Sequence, residues 1–261
     1  PDLTLQQLTL MGAASKWNLV LKNHYGWEPQ PDEAESVEGA LMLVNHGLYK
    51  NCAKIDVASL YPSVMLKYGV WTRKDSERYG LAILKYLTRQ RLELKKRAKA
   101  GDSEASLMSS ALKIFINSAY GFLGTPGIGF NDYKEFAKVP AYGREILKFM
   151  LCYLEGNNAT IVEADTDGII FSHPEPETIR DKLQNALPDG INIELEWTNT
   201  AVYCAKKKSY ILFFPDGSIK ANGIYKKRDK CKLEKSYPIE YVRRFLAGGL
   251  KSAEEFHEEI K

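Results

Sequence analysis

The chain has 261 residues, 44% of them hydrophobic and 26% charged, with a formal net charge of +3. This length and apolar content exclude a disordered protein and suffice for one large domain or two to three subdomains. The four cysteines are far apart and form no C-x-x-C pair, which argues against structural zinc and predicts reduced thiols. We expect no membrane span and no signal peptide, because no stretch is long or apolar enough.

The first part of the chain predicts scaffold and then a strand that ends in an acid. A helix is expected from Leu5 to Leu21, followed by a Pro-rich acidic connector. Residues 52–55 read as a strand that ends at Asp56, and a helix-like run, Val64 to Tyr68, follows Pro62. A strand that ends in a carboxylate and turns into a helix is suited to hold a metal ion and a phosphate.

Two long helices are predicted next, from Glu77 to Lys99 and from Glu104 to Tyr120. Arg91 and Lys95 are spaced i, i+4 on the first helix, and Lys113 and Asn117 share that spacing on the second. The pair can form a clamp for a polyanion such as a triphosphate. An exposed charged hairpin would explain Arg91 and Lys95 equally well, but it explains the mostly apolar second helix poorly.

A short acidic hairpin lies between the strand-like runs 160–162 and 169–171. Residues two apart in an extended segment point to the same side, so Asp165 and Asp167, with Glu163 as a third candidate, can converge. Carboxylates held that close need a positive partner, and a hard divalent cation such as Mg2+ or Mn2+ is the usual one. An ordinary Asp-Gly turn is the alternative. Asp56 strengthens the metal hypothesis, because with Asp165 and Asp167 it completes the set for two-metal phosphoryl transfer.

The remaining segments predict an α+β fold, an antiparallel sheet with helices on one face and the carboxylates at the other. Residues 131–155 should be helical with an interruption at Pro140, and Phe149 is expected in the core. Strands are predicted at 191–198, 201–205, 209–214 and 218–225. Lys and Arg outnumber acids between Lys206 and Lys235, which indicates a phosphate-binding surface or, alternatively, a solvated face.

Four segments, in this order, resemble the polymerase motifs of family B DNA polymerases. They are D-V-A-S-L-Y-P-S at 56–63, K-I-F-I-N-S-A-Y-G at 113–121, A-D-T-D-G at 164–168 and a K-K-x-Y-like segment at 206–210. The resemblance covers about Glu38 to Asp229, and four ordered motifs are far more specific than any one of them.

The resemblance implies roles for individual residues. Asp56, Asp165 and Asp167 would be catalytic, and Asp56, the Val57 carbonyl and Asp167 would bind two Mg2+ ions, with Mn2+ as an alternative. Tyr61 would pack under the sugar of the incoming nucleotide and exclude a 2′-hydroxyl. The implied nucleotide-binding residues are Ser59, Leu60, Tyr61, Arg91, Lys95, Lys113 and Asn117, and the implied DNA-binding residues are Tyr120, Gly121, Lys207, Lys208, Tyr210 and Arg228.

Three departures from the family pattern stand out. The family usually has Tyr-Gly before the D-T-D and Ser after it, whereas this chain has Glu163-Ala164 and Gly168. Loss of the tyrosine puts primer-end packing in question, and Glu163 could add a third carboxylate to the metal face. The three lysines at 206–208 leave the register of the K-K-x-Y segment open by one residue.

The resemblance predicts a palm with a two-helix fingers insertion and a short, partial thumb. The expected domains are an N-terminal helix and linker (1–37), palm (38–71), fingers (72–121), palm (122–229) and partial thumb (230–261). The predicted function is DNA-templated DNA synthesis inside the cell, from dNTPs on primer-template DNA. No proofreading exonuclease is expected, because residues 1–37 are too short for one, so a separate exonuclease or processivity factor is a further expected partner.

Other functions fit the sequence less well. A catalytically weak or inactive DNA-binding module derived from a polymerase is the second hypothesis. A reverse transcriptase or RNA polymerase palm would share the metal chemistry; adjacent aspartates would favour the former, and this chain has Thr166 between its acids. A nuclease or a nucleotidyl cyclase would not need the helix from Lys113 to Gly121.

Overall fold

The computed structural model describes residues 5–226 and 231–260, without the side chains of residues 5–11, 232 and 260. The chain divides into two compact units. Unit 1 comprises the described residues up to Ala40 together with Ala58–Ile146 and Pro188–Asn192. Unit 2 comprises Leu41–Val57, Leu147–Leu187 and the described residues from Ile193 onward. The five-part division expected from sequence stays a prediction.

Unit 1 is helical. Its elements are α1 (Leu5–Tyr25), α2 (Leu60–Tyr68), α3 (Tyr79–Lys99), α4 (Ser103–Leu123) and the first part of α5 (Tyr133–Gly156). The predicted two-helix insertion is present: α3 and α4 pack against each other, and α1 packs on both. Trp17 of α1 is fully buried, stacks on Phe115 at 4.5 Å between ring centroids, and donates its indole N–H to the Phe115 carbonyl. Aromatic burial of this size is a main source of stability.

Two expectations for α5 were wrong. The helix runs through Pro140 without interruption. The proline removes one backbone donor, but the flanking helical hydrogen bonds and the burial of Pro140 stabilise the helix at this turn. Phe149, expected in the core, is 43% exposed, so the apolar face of α5 was misplaced at this position.

Unit 2 is built on one antiparallel sheet of seven strands in the order β1-β3-β4-β2-β5-β6-β7. Its strands are β1 (Met42–Val44), β2 (Gly47–Val57), β3 (Thr160–Asp165), β4 (Gly168–Ser172), β5 (Ile193–Lys206), β6 (Ser209–Phe213) and β7 (Ile219–Ala221). Helix α6 (Pro176–Ala186) packs against β2 and β5. The fold class predicted from sequence, α+β with an antiparallel sheet, is confirmed.

Strand boundaries near the C-terminus differ from the prediction. The two strands expected at 191–198 and 201–205 form one strand, β5, whose irregularities are taken up by shifts in its register with β2. The last strand is only three residues long and leads into a short 3-10 helix, Gly223–Lys226.

The core of unit 2 is formed by residues of five neighbouring strands, β2 to β6. Cys52, Val162, Ile170, Val202, Cys204 and Leu212 form a buried cluster. Helix α7 (Lys232–Ile260) follows the sheet and is kinked at Gly249, which has a φ of 73°. Among the described helices, none has the length and apolar character that crossing a membrane requires.

Candidate active site

The three candidate catalytic aspartates lie at neighbouring strand ends of unit 2. Asp56 is the penultimate residue of β2, Asp165 ends β3, and β4 begins at Gly168. Gly168 pairs with Asp56 on one side and with Asp165 on the other. Thr166 and Asp167 form the connecting turn, in which Thr166 adopts a φ of 59°. The Val57 N–H donates to the Asp167 carbonyl at 2.7 Å, which ties the end of β2 to this turn.

All three aspartates line one cavity of about 510 Å³ in unit 2. The cavity walls carry five carboxylates and three lysines, so the local charge is negative. The charged residues are Asp56, Glu163, Asp165, Asp167, Glu196, Lys54, Lys208 and Lys220. The three aspartates therefore line the same cavity, which is the convergence that their positions in the sequence predicted.

Lys54 is the main cationic partner of Asp56. Its Nζ lies 2.9 Å from Asp56 Oδ2 and 2.6 Å from Glu196 Oε2. Burial raises the pKa of Asp56 to about 6, although the Lys54 ammonium acts in the opposite direction. The pKa of Lys54 is raised because its two carboxylate partners outweigh its burial. Neither Lys54 nor Glu196 was predicted, since the two residues are far apart in sequence and meet only through the β2–β5 pairing.

Asp165 has a separate cationic partner. Lys208 Nζ lies 3.1 Å from Asp165 Oδ2, and the Thr166 hydroxyl donates to Asp165 Oδ1 at 3.0 Å. Both groups therefore contact the Asp165 carboxylate, one at each oxygen. Asp56 and Asp165 are thus neutralised by different lysines in this structure.

The oxygen donors at this site suit a hard divalent cation. Across residues 5–226 and 231–260, no three or more His, Cys, Asp or Glu side chains are grouped closely enough to hold a metal ion. Mg2+, however, is commonly held by one or two carboxylates while phosphates and water supply its other ligands. Asp56 and Asp167, with the Val57 carbonyl, fit that requirement in donor type and in their position at adjoining strand ends.

Glu163 does not have the contacts expected of a third carboxylate on the metal face. It is only 4% exposed, and its Oε1 accepts a hydrogen bond from the Lys208 backbone N–H at 2.6 Å. Burial raises its pKa, while the Lys208 N–H acts to lower it. One oxygen of Glu163 is therefore bound to the backbone of the connection between β5 and β6. This contact argues against Glu163 as a further metal ligand.

The two lysines Lys207 and Lys208 form the connection between β5 and β6, and we call them the basic turn. Lys208 has a φ of 59°. Tyr210 follows on β6, is partly buried and lines the same cavity, and burial raises its pKa. Three predicted DNA-binding residues, Lys207, Lys208 and Tyr210, are therefore adjacent to the acidic hairpin. Arg228, also predicted to bind DNA, lies outside the described residues.

The nucleotide-binding candidates Ser59, Leu60 and Tyr61 belong to unit 1, where they start α2. Ser59 adopts a φ of 52° immediately before the helix, and Leu60 is buried. Arg91 Nη1 donates to the Ser59 hydroxyl at 3.4 Å. The Arg91 Nε is buried and has no hydrogen-bond partner among the described residues. A buried guanidinium N–H of this kind suits an anionic ligand.

The candidates on α4 divide into an exposed and a packed group. Lys113, Asn117 and Gly121 are exposed and spaced four residues apart, as predicted. Tyr120 packs on Tyr61, with ring centroids 4.5 Å apart, and stacks on Phe136 at 4.4 Å. Burial raises the pKa of Tyr120. Lys95, on α3, is half-buried.

The fold of this chain is similar to that of a family B DNA polymerase. The family B DNA polymerase of the archaeon Pyrobaculum calidifontis has a similar structure, with a TM-score of 0.68 and 23% sequence identity. The similarity covers 93% of this chain and 36% of that one. No protein-family model matches the chain.

Curated relatives point to the same class. The chain is 27% identical over 248 residues to the DNA polymerase of Archaeoglobus fulgidus, covering 83% of this chain and 32% of that protein. It is 25% identical over 264 residues to DNA polymerase 1 of Pyrococcus abyssi, covering 84% and 34%. The chain thus spans about a third of the length of these relatives. The resemblance to family B DNA polymerases drawn from the four motifs is confirmed.

Proposed function

We propose that this chain carries out DNA-templated DNA synthesis, the transfer of a nucleotide from a dNTP to a primer 3′-hydroxyl. The observation that carries the proposal is the shared cavity of Asp56, Asp165 and Asp167 at the joined ends of β2, β3 and β4. These acids occupy the motif positions of family B DNA polymerases, and relatives of this chain are named DNA polymerases.

Asp56, Asp167 and the Val57 carbonyl would hold the two divalent ions, with Asp165 in a supporting role. When bound, two such ions activate the primer 3′-oxygen and stabilise the charge on the departing pyrophosphate. Asp56 must be ionised to act as a ligand, and Lys54 favours that form by lowering the pKa of Asp56. Lys54 and Lys208 also limit repulsion within the carboxylate group.

Unit 1 would bind the incoming nucleotide. Arg91, Lys95 and Lys113 would neutralise the triphosphate, and the unpartnered Arg91 Nε is a donor available to a phosphate oxygen. Tyr61, supported by Tyr120, would lie under the sugar and exclude a 2′-hydroxyl. Ser59, Leu60 and Asn117 would complete the nucleotide site, with Tyr120 and Gly121 near the base pair.

The basic turn and Tyr210 would contact the primer-template duplex through its phosphates, which gives affinity without sequence readout. We further propose that this chain contributes no proofreading, so that a separate exonuclease or processivity factor acts with it. Because primer-template DNA and dNTPs are intracellular, the site of action would be the cytoplasm, nucleoid or nucleus.

A second function is a DNA-binding module without catalysis. Two observations favour it: Lys54 already pairs with Asp56 and Glu196, and the described carboxylates are not grouped as a ready three-ligand site. Both functions predict duplex binding, so binding alone does not separate them.

Extension of a labelled DNA primer on a DNA template, with Mg2+ and either dNTPs or rNTPs, separates the two functions. We expect stepwise dNTP extension that is lost in Asp167→Asn and unchanged in Asp216→Asn, an exposed carboxylate in the β6–β7 turn. Tyr61→Ala should gain use of rNTPs. Duplex binding that is intact and indifferent to Asp167→Asn, with no extension at low salt, would establish the binding module instead. Shortening of the primer without dNTPs would contradict the absence of proofreading.

A further inference from the structure

Glu163 is a buried carboxylate on β3 that contacts the basic turn between β5 and β6. In the proposed function, β3 carries a catalytic aspartate and the basic turn contacts DNA. Glu163 lies in register with Val44 of β1 and is 4% exposed. Its Oε1 accepts the Lys208 N–H at 2.6 Å, across 45 residues of sequence. A buried carboxylate is costly unless it is hydrogen-bonded, and a bond from a backbone N–H to an ionised oxygen is among the stronger ones.

The residue that Glu163 holds has an unfavourable backbone conformation. Lys208 has a φ of 59°, a left-handed region that residues with a Cβ occupy at a cost. A hydrogen bond from the Lys208 N–H to Glu163 stabilises this conformation of the basic turn and so offsets that cost. Without the Glu163 carboxylate, the Lys208 N–H would lose this acceptor.

The basic turn is also supported from its other side. Gly223 lies so close to the Lys208 carbonyl and to Ser209 that a Cβ at residue 223 would overlap both. The Ile224 N–H donates to the Ser209 hydroxyl at 3.3 Å. Glu163 and the Gly223–Ile224 segment therefore hold the turn between them.

Glu163 and Asp165 contact the same lysine in different ways. They are two residues apart on β3; Glu163 binds the backbone of Lys208, whereas Asp165 pairs with its side chain at 3.1 Å. The side chain of Lys208 is 59% exposed, so its ammonium is accessible to a DNA phosphate. The Glu163 contact is partly buried and involves the backbone of Lys208, so it does not depend on which anion the ammonium meets.

We propose that Glu163 is a positioning residue that holds the basic turn in the conformation in which Lys207 and Lys208 meet the primer-template backbone. This inference rests on the proposed function for its DNA partner. It makes the acceptor oxygen of Glu163, rather than a metal contact, the feature of this side chain that matters.

Three substitutions at residue 163 test the hydrogen bond, and one in another turn serves as the control. Glu163→Gln keeps an oxygen within reach of the Lys208 N–H and removes the charge. Glu163→Asp keeps the charge and withdraws the oxygen, and Glu163→Ala removes both. Asp216→Ala removes the carboxylate that accepts from the Ser218 N–H in the β6–β7 turn, away from the basic turn.

Two measurements are made without nucleotide or metal: hydrogen exchange at the Lys208 amide, and the Kd of a labelled primer-template duplex across a range of KCl. In Glu163→Ala and Glu163→Asp we expect Lys208 exchange and Kd to rise by about tenfold, the effect of one hydrogen bond. Glu163→Gln and Asp216→Ala should stay within about threefold of the wild type.

The outcomes separate this inference from the proposed function. A wild type that binds no duplex at low salt would overturn the proposed function. A wild type that binds duplex, with Glu163→Ala and Glu163→Asp binding equally well, would overturn only the inference. So would a loss in Glu163→Gln as large as in Glu163→Asp, because charge and not the acceptor would then matter. If Glu163→Ala does not fold, the comparison of Gln with Asp decides.

Discussion

Gly168 pairs directly with Asp56 across β4 and β2, and the Asp56 carboxylate fills the space that a side chain at residue 168 would need. The Lys54 side chain lies against the same space, with its Cε 3.3 Å from the position of a Cβ at residue 168. The glycine that departs from the family pattern is therefore coupled to the Lys54–Asp56 ion pair. Where the family usually has a serine, this chain has Gly168, and the Asp56 side chain lies close to the Gly168 backbone.

Replacing Gly168 tests this coupling. Gly168→Ala should lower the free energy of unfolding by about 1 kcal/mol, because the added methyl group displaces the Asp56 carboxylate from its contact with Lys54. Urea denaturation measures the change. Gly156→Ala is the matched control, since no atom lies within 4 Å of a Cβ added there. Equal stability of the wild type and Gly168→Ala would show that Asp56 can leave the space without cost.

The loss of activity at acidic pH should follow the protonation of Asp56. Burial raises its pKa to about 6, and a metal ligand must be ionised, so primer extension should fall as the pH drops through about 6. Lys54 lowers this pKa, so Lys54→Met should shift the acidic limb to higher pH. Rates of primer extension between about pH 5 and 8 give both profiles. Lys50→Met, an exposed lysine on the same strand, should leave the limb in place.

Asp132 should stabilise unit 1 in a pH-dependent way. Its carboxylate is fully buried and accepts two hydrogen bonds from the Arg73 guanidinium, at 2.8 and 2.9 Å, and one from the Arg73 N–H. Burial opposes ionisation, but the bonds from Arg73 outweigh it and lower the pKa of Asp132 below its ordinary value of 3.8. Its stabilisation is therefore complete above that value and is lost as the pH falls through the lowered pKa.

Asp132→Asn should accordingly cost about 1–3 kcal/mol at neutral pH and less at acidic pH. Urea unfolding at about pH 7 and about pH 3 measures the difference. Asp102→Asn, which weakens a more exposed cap and ion pair on α4, should have a smaller effect. A pH-independent cost in Asp132→Asn would mean that shape, and not charge, sets the contribution of this side chain.

The basic turn should contribute to duplex affinity through phosphate contacts. Lys207→Ala should weaken binding of primer-template DNA irrespective of sequence and reduce the slope of log Kd against log salt by about 1. Fluorescence anisotropy at several KCl concentrations measures both quantities. Lys182→Ala, an exposed lysine on α6, should change neither. An unaltered slope in Lys207→Ala would remove Lys207 from the duplex contact.

The sequence by itself determined the elements whose causes are local. The strand that carries Asp56 near its end, the hairpin around Asp167 and the long helices α3 and α4 follow from periodicity, turn residues and caps within a few positions of each residue. The order of the four motifs was enough to indicate the polymerase class. Pro140 and Phe149 were misjudged because the packing around α5, and not its own sequence, decides whether a proline or an aromatic side chain is accommodated.

Only the tertiary structure decided which charges meet. Lys54 reaches Glu196 because the sheet order places β5 beside β2. Glu163 reaches the Lys208 backbone although β4 and β2 lie between β3 and β5 in that order. Strand order and register minimise the free energy of the whole sheet, including the burial of its apolar face. That sum depends on residues far apart in the chain, so no local pattern encodes the partners of Asp56 or Glu163.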